Sequence, residues 1–352
     1  MIAEIRLKQY RSYLDQSFKL SNGVNVVVGP NASGKTNLLE AIMVVCQGGS
    51  YRSPDTELIM KSKQWARIDA TTDSGTRSVK LSTKPFFAKE FVLNNKTTKQ
   101  LNTANQLPVV LFEPNHLLIL SGSPELRRNY LDGILELIKP GYKKIKQDYL
   151  KTLRQRNTLL KNGSKNNSEL FPWNVRLSHL GGLLAASRHE LSKTLNKNIA
   201  PAYESLSSSK DKITITYKSA VNIIGYESLL LKKLETDYEL DLLRGFTAHG
   251  PHREDLEILI NDRRPIDVAS RGESRTITVA LKTLEHNIIK DRTGKTPIIL
   301  LDDVFSELDL TRRKMLIKVI PAQQIIITTT DTNGILKGIG PKGVNIISTE
   351  KA

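Results

Sequence analysis

The chain lacks the sequence features of disulfide-rich, cysteine-ligated metal-binding, membrane and secreted proteins. Only one of its 352 residues, Cys46, is a cysteine, so neither an intramolecular disulfide framework nor a cysteine-rich metal site can form. No stretch approaches the roughly 18 consecutive apolar residues of a membrane helix. Residues 1–7 alternate like a strand and lack the pattern of a signal peptide. We therefore expect a cytoplasmic chain without membrane partners, in which Cys46 packs as a small apolar residue.

Acidic residues are scarce relative to basic ones. The chain has 52 Lys and Arg against 36 Asp and Glu, which gives a net charge of +16. This excess favours a polyanionic partner, with DNA as the first candidate, although a generally cationic soluble surface would give the same total. Hydrophobic residues (39%) and charged residues (25%) occur at ordinary levels, so a globular protein with two or more subdomains is expected.

The most specific motif is a glycine-rich loop that fits G-x-x-x-x-G-K-[ST] at every fixed position. Its residues are Gly29, Pro30, Asn31, Ala32, Ser33, Gly34, Lys35 and Thr36. The β-branched run 24–28 predicts a strand before the loop, and residues 37–42 predict a helix after it, which is the context of a Walker A phosphate loop. Lys35 is then expected to hold the β- and γ-phosphates of ATP, and Thr36 to ligate Mg²⁺. The alternative is a glycine turn that opens an ordinary helix.

A carboxylate pair far downstream can complete this site. The apolar residues 298–301 precede Asp302 and Asp303, as expected for a buried parallel strand whose carboxyl end opens at a ligand crevice. We predict that this strand neighbours that of the loop and that Asp302 is the second protein ligand of the metal. Asp303 is predicted to orient or deprotonate the attacking water, so that Asp303 and Lys35 are the catalytic residues. Most of the chain separates the two halves, so an insertion must return to the same sheet.

The middle of the chain predicts a basic pair of helices. Apolar residues recur at helical spacing within 139–165, and a second helix is predicted from Trp173 to about Leu195, after a polar turn at 162–168. The basic residues of the first helix either follow a phosphate backbone or only solvate an exposed face. The candidate DNA contacts are Lys143, Lys144, Lys146 and Lys151.

Residues 212–217 predict a strand, and residues 226–243 predict a further helix. The predicted domains are 1–122, 123–245 and 246–352.

Two short motifs accompany the downstream acids. Ser270-Arg271-Gly272-Glu273 opens a predicted amphipathic helix, and a helix N-terminus is a second place for an anion. It resembles the signature motif of ABC-type ATPases, in which two subunits enclose two ATP molecules. The resemblance implies that Ser270, Gly272 and Glu273 contact the nucleotide held by a facing subunit. Residues 306–309 resemble the D-loop that follows the acids in the same superfamily.

Further motifs extend the resemblance over nearly the whole chain. With those above, they occur in the order of the RecF family of bacterial recombination mediators, which are SMC-like ABC-type ATPases. The additional motifs are Tyr10-Arg11-Ser12-Tyr13, the run from Gly29 to Ile42, Phe112-x-Pro114, Arg127-Arg128-x-Tyr130-Leu131-Asp132 and Gly250-Pro251-His252-Arg253. The resemblance implies an α/β fold, namely an ABC-type P-loop ATPase head with a mixed sheet and an antiparallel β-subdomain, carrying an inserted helical arm.

The resemblance also implies a function in DNA gap repair and replication restart, within the response to DNA damage. Family members are expected to dimerise with ATP and to hydrolyse it slowly when DNA stimulates them. They are expected to bind gapped, junction or single-stranded DNA with RecR, and to help RecO and RecR load RecA.

Glu273 and Ser274 depart from the glutamines that are usual at these positions in the family. An ABC transporter motor and a DNA-binding module with a vestigial nucleotide site are the alternatives. Residues 10–13 would lie near adenine, lie near DNA or form a plain turn.

Overall fold

The computed structural model describes residues 1–163, 167–207, 209, 211–309, 311, 313–315, 323–330 and 343–349. These form two compact units: Met1–His116 with the described residues from Glu285 onward, and Leu117–Leu284. The division into 1–122, 123–245 and 246–352 stays a prediction, and the second unit includes residues 246–284 as well. Residues 164–166 of the predicted polar turn lie outside the described part.

The helices and strands are numbered in chain order. Up to residue 116 they are β1 (Ile2–Tyr10), β2 (Tyr13–Lys19), β3 (Gly23–Val28), α1 (Lys35–Gln47), β4 (Trp65–Thr72), β5 (Gly75–Ser82), β6 (Ala88–Leu93), β7 (Lys96–Thr98) and β8 (Val109–Phe112). The middle of the chain forms α2 (Pro124–Ile138), α3 (Tyr142–Lys161), α4 (Asn167–Glu204), β9 (Ile213–Lys218), α5 (Tyr226–Thr236), α6 (Tyr238–Arg244), β10 (Asp255–Ile260) and α7 (Pro265–Val268). Then follow α8 (Arg271–Thr293), β11 (Ile298–Asp302), β12 (Gln324–Thr329) and β13 (Val344–Ser348).

The first unit contains two sheets that share a hydrophobic core with α1. One is antiparallel, in the order β2-β1-β4-β5-β6-β7, and is the antiparallel β-subdomain that the resemblance implies. The other is parallel, in the order β13-β3-β12-β11-β8. Leu38, Leu39 and Ile42 of α1 are fully buried in this core, together with side chains of both sheets. Cys46 is buried in the same helix, as predicted.

The order of the parallel sheet corrects one prediction. The strand of the acids, β11, does not pair with the strand of the loop, β3, because β12 lies between them and pairs with both. In a parallel sheet the carboxyl ends of all strands still open at the same edge. The loop and the acids therefore meet at this edge, with the end of β12 between them.

In the second unit, α3 and α4 form the predicted antiparallel pair. Arg156 of α3 contacts Asn174 of α4, whereas Tyr149, further from the turn, lies beside Gly181. The helix α4 is longer than the predicted 173–195, since it continues through Pro172 and to Glu204. The predicted helix over residues 226–243 is divided into α5 and α6 at Asp237.

A buried arginine ties this pair of helices to later segments of the second unit. Arg156 is fully buried, and its guanidinium donates hydrogen bonds of 2.7 Å to Asn174, Asp241 and Thr247. A guanidinium buried at this depth requires such pairing, because the desolvation cost of an uncompensated charge is several kcal/mol. This polar cluster therefore fixes α3 and α4 against α6 and the residues that follow it.

Within the described ranges, no helix is both long enough and apolar enough to span a bilayer. The cytoplasmic location expected from the sequence stays a prediction.

Candidate functional site

The predicted phosphate loop lies between the end of β3 and the start of α1. Gly34 caps the helix with a φ of 103°, in the left-handed region that favours glycine. A Cβ atom at this position would lie 2.7 Å from the Tyr13 hydroxyl, so no larger residue fits. Pro30, Asn31 and Ala32 at the crest of the loop are exposed. The loop therefore turns tightly onto the helix and presents its crest to solvent.

The side chain of Lys35 folds back over this loop. Its ammonium donates hydrogen bonds of 2.8 Å to the Gly29 carbonyl and 2.9 Å to the Pro30 carbonyl, and the residue is only 8% exposed. Two carbonyl partners compensate the ammonium for lost water. Since these partners are neutral, an anionic phosphate oxygen would bind the same ammonium more strongly.

Asp302 stands at the carboxyl end of β11 and joins the two halves of the predicted site. Thr36 donates a hydrogen bond of 3.0 Å to one of its carboxylate oxygens, Oδ1. Thr328, near the end of β12, donates to the same oxygen at 2.9 Å, and Tyr51 donates to Oδ2 at 3.0 Å. Three hydroxyl groups thus hold one carboxylate in place.

Tyr51 and Thr328 are residues of this site that the sequence analysis did not find. The apolar run of β12 resembles that of β11 and could have indicated a further strand that ends at the same edge, and hence Thr328. Tyr51 follows α1 in an irregular segment and shows no periodic signal. Proximity to Asp302 raises the pKa of Tyr51, after the larger effect of burial. The phenol therefore stays protonated and acts as a donor at neutral pH.

The donor set at this edge fits a magnesium-bound triphosphate. Mg²⁺ prefers oxygen ligands, keeps several waters and takes only one or two ligands from the protein when it is bound with phosphates. The Thr36 hydroxyl and the Asp302 carboxylate are two such oxygens at 3.0 Å from each other. The exposed crest of the loop and the Lys35 ammonium beside it supply the positive counterpart for the phosphates.

Asp303 lies directly beyond the strand, in a different environment from Asp302. Its φ of 54° is left-handed, which Asp tolerates better than most residues. The backbone N–H donates a hydrogen bond of 2.9 Å to the Thr328 hydroxyl, and the residue is exposed, whereas Asp302 is buried. The two acids therefore face different surroundings, as separate roles in metal binding and water activation require, and these roles stay predictions.

Residues 10–13 form the turn between β1 and β2, and this turn contacts the phosphate loop. Tyr10 is fully buried, and the Tyr13 hydroxyl donates a hydrogen bond of 3.0 Å to the Gly34 carbonyl. Arg11 makes two hydrogen bonds of 2.9 Å to Glu40, a fully buried residue of α1. These contacts confirm the turn, and proximity of residues 10–13 to adenine or to DNA stays a prediction.

Glu40 is the centre of a polar cluster beneath α1. Besides Arg11, it accepts hydrogen bonds from Ser50 (2.6 Å), Ser53 (2.8 Å) and Arg52 (3.2 Å). Burial alone would raise the pKa of Glu40, but these four donors outweigh it and lower the pKa to about 2. The cluster fixes the segment after α1 and so positions Tyr51 beside Asp302.

The predicted signature lies in the second unit, where α8 begins. The Ser270 N–H donates a hydrogen bond of 2.7 Å to the Glu273 carboxylate, and the Glu273 N–H donates one of 3.1 Å to the Ser270 hydroxyl. This reciprocal pair is a capping box. The capping box gives Glu273 a structural role at this position, where glutamine is usual in the family. Ser270 itself is exposed. The contact of Ser270, Gly272 and Glu273 with a nucleotide stays a prediction.

The residues of the predicted D-loop follow β11. A short 3₁₀ helix, Val304–Glu307, begins there, with Val304 and Phe305 buried. The side chains of Ser306 and Glu307 lie outside the described part of the structure.

The four candidate DNA-binding lysines of α3 differ in their surroundings. Lys143 and Lys151 are exposed, and Lys144 pairs with Asp148 at 2.9 Å on the surface. Lys146 is engaged within the second unit, where it pairs with Asp132 at 3.2 Å and Glu136 at 2.9 Å. Lys143, Lys144 and Lys151 are therefore the members of this set that are available to a phosphate backbone.

The residues of the remaining motifs make contacts within the second unit. His252 bonds to the Tyr149 hydroxyl at 2.7 Å and the Thr247 carbonyl at 3.0 Å, and burial lowers the pKa of His252 to about 4. It is therefore neutral at physiological pH. Arg127 makes a double hydrogen bond of 2.8 Å to Asp255. These residues hold α2 and α3 against the segment that contains β10.

Comparison with known proteins agrees with this geometry. The family described as the RecF/RecN/SMC N terminal domain matches residues 1–350. The DNA replication and repair protein RecF of Bacillus cytotoxicus is 35% identical over 348 residues, which are 95% of this chain and 93% of that protein. The protein of the same name from Shouchella clausii is 34% identical over 352 residues, covering 95% and 94%.

Solved structures give the same result. The recombination mediator protein RecF-ATPrS of the RecFOR pathway matches with a TM-score of 0.85 and 30% identity, over 95% of this chain and 94% of that one. An SMC head bound to the C-winged helix domain of ScpA matches with a TM-score of 0.54 over 96% and 91%, and its 16% identity supports the fold alone.

The phosphate loop, the acid at the end of β11 and the two sheets around α1 define an ABC-type ATPase head of the kind found in SMC proteins. The predicted fold class is thus confirmed. The chain belongs to the RecF family of DNA replication and repair proteins. Its role is that of a recombination mediator in DNA repair, which confirms the resemblance and sets the transporter alternative aside.

Proposed function

We propose that the chain binds ATP with Mg²⁺ at the edge of the parallel sheet and hydrolyses it slowly, in a DNA-dependent manner. The observation that carries this proposal is the 3.0 Å hydrogen bond between Thr36 and Asp302, which joins the phosphate loop to an acid on another strand. A solved RecF structure with ATP matches the chain with a TM-score of 0.81 and 30% identity, over 94% of this chain and 92% of that one.

Each residue of the site has a definite task in this proposal. The loop from Gly29 to Thr36 and the Lys35 ammonium bind the phosphates, while Thr36 and Asp302 hold the metal, with Tyr51 and Thr328 fixing the carboxylate. Mg²⁺ held by Thr36 and Asp302 would supply positive charge to the phosphate oxygens. Asp303 orients the attacking water and accepts its proton.

The active form in this proposal is a dimer that ATP induces. One face of the triphosphate is enclosed by the loop. At the start of α8, the exposed Ser270 hydroxyl and the N–H of the half-buried Gly272 bind the γ-phosphate of a facing subunit. A twofold interface repeats each such contact. Hydrolysis removes the bridging phosphate and so releases the dimer.

The nucleic-acid partner is gapped, junction or single-stranded DNA. The net charge of +16 and the exposed Lys143, Lys144 and Lys151 of α3 favour contacts with phosphates, which are independent of sequence. With RecR and RecO as protein partners, the bound chain promotes the loading of RecA, within the pathway that the matching RecF structures represent.

Phosphate release measured with and without gapped duplex tests the proposal. We expect DNA to stimulate release by the parent chain, and we expect Asp303→Asn to remove the stimulated rate while ATP binding persists. Absence of phosphate release in every DNA context would instead favour a DNA-binding module with a vestigial nucleotide site.

A further inference from the structure

Three aromatic side chains at one end of the antiparallel sheet are exposed to solvent. Trp65 is 43% exposed, Phe86 82% and Phe87 40%. Large aromatic side chains are normally buried, and a group of exposed ones marks an interaction site more often than a single one does. We name Trp65, Phe86 and Phe87, together with Lys61, Lys63 and Lys84, the aromatic patch.

The strand register brings these residues to one place. Trp65 at the start of β4 pairs with Ser82 at the end of β5, and Ser82 pairs with Ala88 at the start of β6. These three residues therefore form one row across three strands. The connection 83–87, which carries both phenylalanines, leaves and re-enters the sheet at this row. The Thr83 N–H anchors it with a hydrogen bond of 2.9 Å to the Gln64 carbonyl, next to Trp65.

The two segments that form the patch carry only positive charges. Segments 61–65 and 82–88 contain Lys61, Lys63 and Lys84 and no acidic residue. All three lysines are exposed. Among the residues that the structure describes, none forms a hydrogen bond or an ion pair with these ammonium groups. The nearest acid by strand register is the exposed Glu90, two residues beyond Ala88 in β6 and opposite Lys80 of β5. Asp69 pairs with Arg67 at 2.8 Å, and Asp55 pairs with Lys89.

Exposed aromatic rings beside unpaired ammonium groups suit a partner that offers both flat rings and negative charges. Single-stranded nucleic acid has both, because its unpaired bases stack on aromatic side chains while its phosphates bind cations. In a duplex the bases stack on each other and cannot reach the rings. The geometry points to the aromatic patch as a stacking site for single-stranded DNA, for example the unpaired strand of a gap. This inference rests on the proposed DNA binding, and it assigns a surface of the first unit to the unpaired DNA strand.

Fluorescence tests the contact directly, since the chain has only two tryptophans, Trp65 and Trp173. In a Trp173→Phe background the emission reports Trp65 alone. Titration with oligothymidine in the presence of an ATP analogue is expected to quench this emission, and blunt duplex of the same length is expected to change it little. Unchanged emission at saturating oligothymidine, with binding confirmed by anisotropy, would overturn the stacking site.

Affinity provides the second measurement. Phe86→Ser with Phe87→Ser should weaken binding to oligothymidine roughly tenfold or more, as expected for lost base stacking, and change blunt-duplex affinity less than about twofold. Phe171→Ser is the matched control, because Phe171 is 50% exposed in α4, away from the patch in sequence, and it should leave both affinities unchanged. Thermal unfolding of each variant verifies the fold.

The outcomes separate this inference from the proposed function. Binding of gapped duplex and DNA-stimulated hydrolysis with normal oligothymidine affinity in the Phe86/Phe87 variant would overturn the stacking site and leave the proposed function intact. A parent chain that binds no DNA of any form would overturn both.

Discussion

The hydroxyl of Thr36 lies 3.0 Å from a carboxylate oxygen of Asp302, although 266 residues separate them in sequence. The two residues meet because β3, β12 and β11 open at one edge, and Thr328 and Tyr51 hold the carboxylate from its other sides. Preorganised ligands bind a metal with less loss of side-chain entropy. The three hydroxyl groups around Asp302 therefore favour metal binding by limiting the motion of its carboxylate.

Lys35→Ala should abolish tight ATP binding. The variant removes the ammonium that now bonds to the Gly29 and Pro30 carbonyls and that is the cation nearest the proposed phosphate position. Binding of a fluorescent ATP analogue checks this, with thermal unfolding in the absence of nucleotide as the control for folding. Undiminished binding by a folded variant would exclude this loop as the phosphate site.

Tyr51→Phe should weaken the apparent affinity for Mg²⁺ about tenfold and leave metal-free nucleotide binding nearly unchanged. The phenol donates to Asp302 Oδ2 at 3.0 Å, and loss of such a supporting hydrogen bond typically costs a metal site about 10–100-fold. Magnesium titrations of analogue binding measure the effect. If nucleotide affinity falls equally with and without the metal, Tyr51 supports the fold and not the carboxylate.

Asp303→Asn should suppress hydrolysis while nucleotide and metal binding persist. Asparagine tolerates the left-handed φ of 54°, so the backbone keeps its conformation, but the amide cannot accept a proton from water. Single-turnover hydrolysis and analogue binding, measured on the same preparation, separate the two effects. Parallel loss of binding and hydrolysis would place Asp303 among the metal ligands.

Glu40→Gln should destabilise the first unit by about 3 kcal/mol at neutral pH, because Arg11 and Arg52 lose their counter-charge. The pKa of Glu40 is lowered from its ordinary value near 4.5 to about 2. Its ionised form therefore stabilises the fold above about pH 4.5, and that contribution is lost as the pH falls toward 2. Urea unfolding of parent and variant should show a gap that narrows over this range; a gap independent of pH would contradict the assignment.

The site and the fold were predictable from the sequence to different extents. The loop between β3 and α1 was predictable because its chemistry fixes residue types at fixed spacing, and β11 because a buried parallel strand is continuously apolar. Tyr51 was not, since its contact with Asp302 depends on the Glu40 cluster that positions the segment after α1.

The strand order and some of the helices and strands also could not be predicted from local sequence patterns. The position of β12 between β3 and β11 is a property of chain crossovers, which leave no periodic signal. The strand β2 was not predicted because its only buried residues are Tyr13, at its start, and Phe18, one residue before its end, so the residues between them show no alternation. The break at Asp237 between α5 and α6 interrupts a run whose composition favours one continuous helix.

The proposed contact between Ser270 and the nucleotide of a facing subunit should depend on charge as well as on the helix cap, and two substitutions of Ser270 separate these effects. Ser270→Asp preserves a good helix cap but places a negative charge where a γ-phosphate of the facing subunit would bind, whereas Ser270→Thr keeps both the cap and neutrality. We expect the Asp variant, like the bulkier Ser270→Arg, to bind ATP as a monomer and fail to dimerise. The Thr variant should behave like the parent chain.

Light scattering of the parent chain with a non-hydrolysable ATP analogue and Mg²⁺ tests the central claim, that ATP bound at the Thr36–Asp302 edge is completed by the Ser270 helix of a second subunit. We expect a monomer without nucleotide, a dimer with the analogue, and a monomer under both conditions for Ser270→Arg and Ser270→Asp. A parent chain that stays monomeric while saturated with the analogue, or a Ser270→Arg variant that dimerises normally, would contradict it.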